Sequence, residues 1–245
     1  MSSTFIIGLI IAVLSCLLGY AFIFQSAEHK SQQKQRLLSA FKQQLASLIS
    51  VAEGIPPGLL TKDLAGLIYH CITDVSEQLI RLEPRNPSFR QAHSKYQQLM
   101  ISSKNQNPNG SPSFGSSQAI KNTQHFLRQL HDIIGTLQQQ RKLNSEHASG
   151  YSEQVKELML QTSVEECFLL ANKAKEEGNS KTEALYYQHI IELLSKSNQT
   201  GRFDDQISQV QLKKTKTEEK MLATQQAMFS ESKKGHSQSA NGPLF

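Results

Sequence analysis

The feature that most constrains this chain is an uninterrupted apolar segment close to its N-terminus. Residues 4–24 read TFIIGLIIAVLSCLLGYAFIF, which is 21 positions without a charged side chain. At a rise of about 1.5 Å per residue, a helix of that length crosses a hydrocarbon core of about 30 Å. We therefore expect a transmembrane helix, with residues 1–27 serving as a membrane anchor.

A cleaved signal peptide is the alternative interpretation of this segment. Signal peptides combine a basic start, a shorter apolar stretch and small residues at the cleavage site. Here Met1 is followed by two serines rather than by Lys or Arg, and the apolar stretch is long. These features favour an uncleaved anchor.

The charges that flank the segment predict its orientation. Its N-terminal side has no basic side chain, whereas Lys30, Lys34, Arg36 and Lys42 follow it. Basic residues are retained preferentially on the cytoplasmic side of a membrane. We therefore expect a single-pass protein of a bacterial inner membrane whose C-terminal region is cytoplasmic. The three cysteines form no recognisable disulfide framework, which suits that compartment.

Beyond the anchor, the sequence predicts an all-α fold built from helical hairpins or a bundle. Apolar residues recur three or four positions apart, and no segment alternates as a strand does. The predicted helices cover residues 31–52, about 61–83, about 87–101, about 120–143 and about 151–177, and a stretch that includes residues 184–194. A weak break is expected over residues 144–150.

Composition divides the soluble part into segments. Residues 102–117 are rich in Ser, Asn, Gly and Pro, which is typical of a flexible linker. The linker separates an N-terminal helical unit, residues 28–101, from a C-terminal hairpin unit, residues 118–200. Apolar spacing is thin after residue 200, so we expect a weakly helical to disordered tail over residues 201–245, disordered from residue 230 onwards.

The C-terminal unit carries small residues on one helix, then a glycine turn, then a small residue and an aromatic pair. These residues are Ala171, Ala174, Gly178, Asn179, Ala184, Tyr186 and Tyr187. Residues 164–197 thereby resemble a tetratricopeptide repeat, a helix–turn–helix unit of about 34 residues. The sequence departs from the repeat because Ala184 lies one position late and no proline closes the unit. A generic helical hairpin with small residues at its crossing is the alternative.

The resemblance implies a scaffold that binds peptides or helices rather than a catalyst. We expect binding in a groove between helices, lined by Phe168, Tyr186 and Tyr187. The principal functional prediction is therefore a membrane-anchored cytoplasmic scaffold that binds a protein partner through its helical region.

Catalytic and metal-binding patterns are missing from the sequence. The eight histidines include no pair three or four positions apart, which a helical metal site requires. The sequence has no glycine-rich phosphate loop, no nucleophile elbow and no H-E-x-x-H motif. We expect neither an enzyme nor a bound cofactor or metal.

A basic block is the second functional signal. Eight basic residues lie between Pro84 and Lys142, where Asp132 is the only acid. We expect a basic surface that includes Arg85, Arg90, Lys95, Arg128, Arg141 and Lys142. The alternative function is therefore a membrane-tethered nucleic-acid-binding protein that uses this block.

Overall fold

The computed structural model describes residues 32–56, 58–103, 114 and 116–237, with side chains as far as Gln226 in the last helix. The predicted anchor, residues 4–24, lies outside the described residues. Among the helices that are described, none combines the length and apolarity that crossing a membrane requires.

The described part of the chain contains only helices as regular elements, which confirms the predicted all-α class. The helices are α1 (residues 32–54), α2 (Lys62–Leu82), α3 (Pro87–Ser103), α4 (Ser117–Gln139), α5 (Ser145–Glu176), α6 (Ser180–Ser197) and α7 (Asp204–Ser237). They form two compact units. The first contains α1 as far as Glu53 together with α2 and α3, and the second contains the segment Gly54–Leu59 and α4–α7.

The first unit is built around one apolar stripe on α2. Thr61 begins this helix as its N-cap by accepting a hydrogen bond from the backbone N–H of Leu64. The buried stripe follows at helical spacing and includes Leu64, Ile68, Ile72, Val75 and Leu79. α2 packs on α3, which contributes buried Phe89 and Tyr96. Fully burying each such side chain stabilises the unit by about 1.5–3 kcal/mol.

The second unit is a linear series in which each helix packs on the next. The contacts pair α4 with α5, α5 with α6 and α6 with α7. Short connections make successive helices antiparallel. α5 has 32 residues and is long enough to pack against both α4 and α6. Its Glu166 accepts hydrogen bonds from Ser117 and Gln124 of α4, while Cys167 and Ala171 pack in the core beside α6.

The beginning of α5 differs from the prediction. We expected a break over residues 144–150, but the helix begins at Ser145 and runs through Gly150. Asn144 caps it by accepting a hydrogen bond from the N–H of His147 at 2.8 Å. The first turn of α5 contains few apolar residues, so the sequence pattern did not predict the start of the helix. That start is stabilised by the N-cap rather than by a hydrophobic stripe.

The C-terminal segment also differs from the weakly helical to disordered tail that we expected. α7 is continuous from Asp204 to Ser237, and residues 238–245 lie outside the described part. Val210 and Thr217 are buried, and Lys214 donates a hydrogen bond to Gln188 of α6. The face of α7 that packs on α6 mixes apolar and polar residues, so its periodicity is weak in the sequence.

Candidate peptide-binding groove

The groove is positioned by the turn between α5 and α6. Gly178 has a positive φ of 73°, a conformation that favours glycine. Asn179 follows as the N-cap of α6 and accepts a hydrogen bond from the N–H of Thr182 at 3.1 Å. Ala171 and Ala174 are buried on α5, and these small side chains let the two helices approach closely.

The core behind the groove joins three helices. It consists of Cys167 and Ala171 from α5, Tyr187, Ile190 and Leu194 from α6, and Val210 from α7. Because α5 and α7 both run antiparallel to α6, they point in the same direction, and residues of both line one cavity.

An ion pair attaches the start of α7 to α5. The guanidinium of Arg202, in the turn before α7, contacts both carboxylate oxygens of Glu157. Asn198 supports this turn by accepting a hydrogen bond from the N–H of Phe203 and donating one to Asp204. The pair is partly exposed, so it specifies geometry more than it adds stability.

A cavity of about 340 Å³ opens between α5 and α7. Its apolar lining includes Val164, Phe168, Leu194 and Val210, and its amide lining consists of Gln161, Gln206 and Gln209. Arg202 and Glu157 close one part of the rim, and Lys213 lies at another. The cavity therefore combines an apolar surface with groups that both donate and accept hydrogen bonds.

Phe168 is one of two aromatic residues that line the groove, and the other is Phe203. The ring of Phe168 meets Tyr187 edge-on, with centroids 6.4 Å apart and planes inclined at 64°. The ammonium nitrogen of Lys213 lies 5.0 Å from the centroid of the same ring. Such cation–π contacts contribute about 0.5–1 kcal/mol at exposed sites. Phe168 is thus fixed by α6 on one side and by α7 on another.

The three predicted groove residues have different environments. Phe168 lines the groove, as the sequence suggested. Tyr187 is only 5% exposed and belongs to the core behind it. Tyr186 is half-buried, packs beside the same core and does not line the groove. Adjacent residues on a helix point about 100° apart, so the two tyrosines cannot share one wall.

Burial also changes the acidity of two groups in this core. The pKa of Tyr187 is raised, first by burial and then by the neighbouring Glu183, which accepts its hydrogen bond. Burial raises the pKa of the Cys167 thiol, and Glu166 raises it further. A buried thiol with a raised pKa is a poor nucleophile. Within the described residues, no cluster of three His, Cys, Asp or Glu side chains is placed to hold a metal ion.

Several groove residues were missed by the sequence reasoning. They are Gln161, Arg202, Gln206, Gln209 and Lys213. Most of them belong to α7 or the turn before it, which we interpreted as the start of a tail. The signal that identifies them is polar rather than apolar, because Gln206, Gln209 and Lys213 recur at helical spacing on one face of α7.

The six residues of the predicted basic surface are all exposed, but they belong to different units. Arg85, Arg90 and Lys95 lie in the first unit, whereas Arg128, Arg141 and Lys142 lie in the second. Two of the first three already have protein partners. Arg90 donates a hydrogen bond to the carbonyl of Pro84 at 2.7 Å, and Lys95 pairs with Glu53 at 2.7 Å.

Lys95 belongs to a network that joins α1 to α3. The hydroxyl of Tyr96 donates to the same oxygen of Glu53 at 3.0 Å. The hydrogen bonds from Lys95 and Tyr96 lower the pKa of Glu53. Burial raises the pKa of Tyr96, and Glu53 adds to that effect. This part of the basic block therefore also serves to hold the first unit together.

Comparison with known proteins adds no relative: no family model, no curated protein and no solved structure matches the chain. The described fold and groove define a class only. That class is an all-α protein whose successive helices pack side by side and leave a partly apolar groove between α5 and α7.

Proposed function

We propose that this protein is a membrane-anchored cytoplasmic scaffold that binds a protein partner in the groove between α5 and α7. The observation that carries the proposal is the groove itself, which is lined by Phe168 and Phe203 and has glutamine amides on both walls. The tetratricopeptide-like segment, residues 164–197, provides the C-terminal part of α5 and all of α6, on which the groove depends.

The chemistry of the lining suits a peptide. A glutamine amide both donates and accepts hydrogen bonds, which matches the alternating N–H and C=O groups of a peptide backbone. The apolar surface around Val164 and Phe168 suits one apolar side chain of the partner. Pockets that recognise ligands commonly combine such a surface with a few polar groups that fix orientation.

The anchor supplies the setting for this binding. Residues 4–24 have the length and apolarity of a single membrane span, and the basic residues after them favour a cytoplasmic location for the helical units. A scaffold in this position holds its partner close to the inner membrane. Tethering of this kind raises the effective concentration of the partner without any new contact.

Nucleic-acid binding remains the alternative, but the geometry favours it less. The six basic residues are divided between two units, and Lys95 is neutralised by Glu53. Filter binding of a labelled oligonucleotide across a salt series tests this alternative. Phosphate contacts release counterions, so a nucleic-acid binder shows affinity that falls steeply with salt.

The test of the proposed function compares two substitutions on α7. Gln209 lines the groove, whereas Gln211, two positions along and also exposed, does not. The full-length protein carries an affinity tag, and captured proteins are identified by mass spectrometry. Gln209→Trp fills the groove, so we expect it to remove a partner that the unaltered protein and Gln211→Trp both retain. Equal recovery of every captured protein by the two variants would refute the proposal.

A further inference from the structure

A row of lysines continues the groove-lining face of α7. Gln206 and Gln209 line the groove, and Lys213, Lys216 and Lys220 follow them three or four positions apart. Residues at this spacing share one face of a helix. Lys213, Lys216 and Lys220 are all exposed. The groove is therefore extended at one end by a basic stripe.

α5 adds a fourth lysine to the same end. Val164 and Phe168 mark its groove-lining face, and Lys175, seven positions after Phe168, lies on that face and is exposed. α5 and α7 run in the same direction, so the later residues of both helices extend beyond the same end of the groove. We call Lys175, Lys213, Lys216 and Lys220 the groove lysines.

The groove lysines are not neutralised by the acids around them. Within the described part of the chain, no ion pair within 4.0 Å uses any of the four. Three of the nearby acids have other neighbours: Glu218 pairs with Lys214, Glu177 lies 3.9 Å from Lys173, and Glu176 lines a separate cavity beside α4. Glu165 lines the groove and Glu219 is exposed beside Lys220, so the four lysines outnumber these two acids. Positive charge at this end therefore remains available to a ligand.

We infer that the groove binds an acidic amphipathic segment of the partner protein. An apolar side chain of that segment packs against Val164 and Phe168, and its carboxylates lie along the groove lysines. This inference rests on the proposed function and specifies the chemistry of the partner. Charge complementarity of this kind contributes mainly to the rate of association and to specificity.

The aromatic geometry favours a peptide over a single-stranded nucleic acid. Proteins that bind single strands stack bases on exposed aromatic faces. Phe168 offers no free platform, because Lys213 lies over its ring and Tyr187 meets it edge-on. The ring of Phe203, which also lines the groove, has the guanidinium of Arg202 5.7 Å from its centroid. The groove lysines would attract the phosphates of a nucleic acid, but that ligand would leave the apolar surface of the groove uncovered.

The inference is tested with the full-length protein and two labelled peptides, by fluorescence anisotropy. One peptide is an amphipathic sequence of Glu and Leu, and its twin carries Gln in place of every Glu. The variant Lys216→Gln/Lys220→Gln removes two groove lysines. The matched control, Lys181→Gln/Lys196→Gln, removes two exposed lysines of α6. All four are surface positions, so folding is expected to be unchanged.

We expect the acidic peptide to bind more tightly than its twin, with an affinity that falls as salt is added. The groove variant should bind the acidic peptide about tenfold more weakly, because two favourable charge contacts are lost. The control variant should bind it like the unaltered protein. Neither variant should change the affinity for the twin.

Three results would overturn the inference. They are equal affinity for the two peptides, equal loss in both variants, and tighter binding of a single-stranded oligonucleotide that depends on the same lysines. If these occur while Gln209→Trp still removes the captured partner, the proposed function stands and only the acidic partner is excluded. If Gln209→Trp also has no effect, both proposals fail.

Discussion

The environment of Tyr187 combines an apolar core with a buried acid. Its side chain packs among Cys167, Ala171 and Ile190, and its hydroxyl donates to Glu183, which is itself only 5% exposed. Tyr187 therefore belongs to the core behind the groove. Phe168 lines the groove, whereas Tyr187 does not.

We predict that Tyr187→Ala lowers the free energy of unfolding by about 3–5 kcal/mol, because it removes a large aromatic side chain and leaves a cavity. Tyr187→Phe keeps the ring but leaves Glu183 without its hydroxyl partner, so we expect a loss of about 1–2 kcal/mol. Urea unfolding followed by circular dichroism measures both. A Tyr187→Ala variant as stable as the unaltered protein would show that the side chain is not in the core.

The raised pKa of Tyr96 predicts that the folded protein loses stability at alkaline pH. Burial raises its pKa in the folded state, and its hydrogen bond to Glu53 raises it further. An unfolded tyrosine has a pKa of about 10. Tyr96 therefore contributes fully to the free energy of unfolding below that pH. The contribution is lost as the pH rises further, because the tyrosine ionises in the unfolded chain while it stays protonated in the folded protein.

Tyr96→Phe removes this ionisation. We therefore expect the free energy of unfolding to fall less steeply above about pH 10 in the variant than in the unaltered protein. Tyr187 is present in both proteins, so the difference between the two curves isolates Tyr96. Urea titrations at a series of pH values provide the measurement. Parallel curves across this range would contradict the prediction.

At the scale of helices, two glycines give opposite predictions. Gly150 lies inside α5, and an added methyl group would meet nothing within 4 Å. Gly178 has a φ of 73° at the turn before α6, where a side chain is strained. We expect Gly150→Ala to stabilise the protein by about 0.5–1 kcal/mol and Gly178→Ala to destabilise it by about 1–2 kcal/mol.

Thermal unfolding of the two alanine variants measures this contrast. The comparison also tests the start of α5, because a break over residues 144–150 would remove the benefit of alanine at residue 150. Destabilisation by Gly150→Ala would therefore support the break that the sequence suggested and contradict the continuous helix.

Helices with a dense apolar stripe could be predicted from the sequence. The stripe of α2, its cap at Thr61 and the turn at Gly178 are all local signals that need no knowledge of the fold. α7 lacked such a signal because its buried face includes Thr217 and Lys214 beside Val210. Its stability depends on packing against α6, which is a tertiary effect.

The groove could be predicted only in part for the same reason. Phe168 lies in the segment with the repeat-like pattern, which is why the sequence analysis proposed it as a groove residue. The opposite wall comes from α7, which packs on α6 and is joined to α5 by the ion pair between Arg202 and Glu157, which are 45 residues apart. No local pattern reveals that such distant residues meet. The helical spacing of Gln206, Gln209 and Lys213 indicates a wall of the groove only when the relative positions of α5 and α7 are known.

At the scale of the whole molecule, the two described units differ in the interactions that they contain. The first has a compact core around α2 and an ion-pair network centred on Glu53. The second carries the groove and the groove lysines. The proposed anchor precedes the first unit in the chain, and the unit that carries the groove follows the first unit in sequence.

The proposed anchor gives a prediction about location. Its 21 uncharged residues should hold the full-length protein in the membrane fraction through an alkaline carbonate wash, because removing that apolar surface from lipid is costly. Deletion of residues 1–27 should move the protein to the soluble fraction while leaving its far-ultraviolet circular dichroism helical. The helical units would then be shown to need the anchor for location and not for folding.

Orientation is measured separately with reporters fused after Phe245. A cytoplasmic C-terminus should make a green fluorescent reporter bright and an alkaline phosphatase reporter inactive, because the basic residues after the segment favour retention inside. Replacing Lys30, Lys34 and Arg36 by Gln should weaken this bias and raise phosphatase activity. A mature chain that begins near residue 22 or 28, or an active phosphatase in the unaltered protein, would place the groove on the wrong side for a cytoplasmic partner.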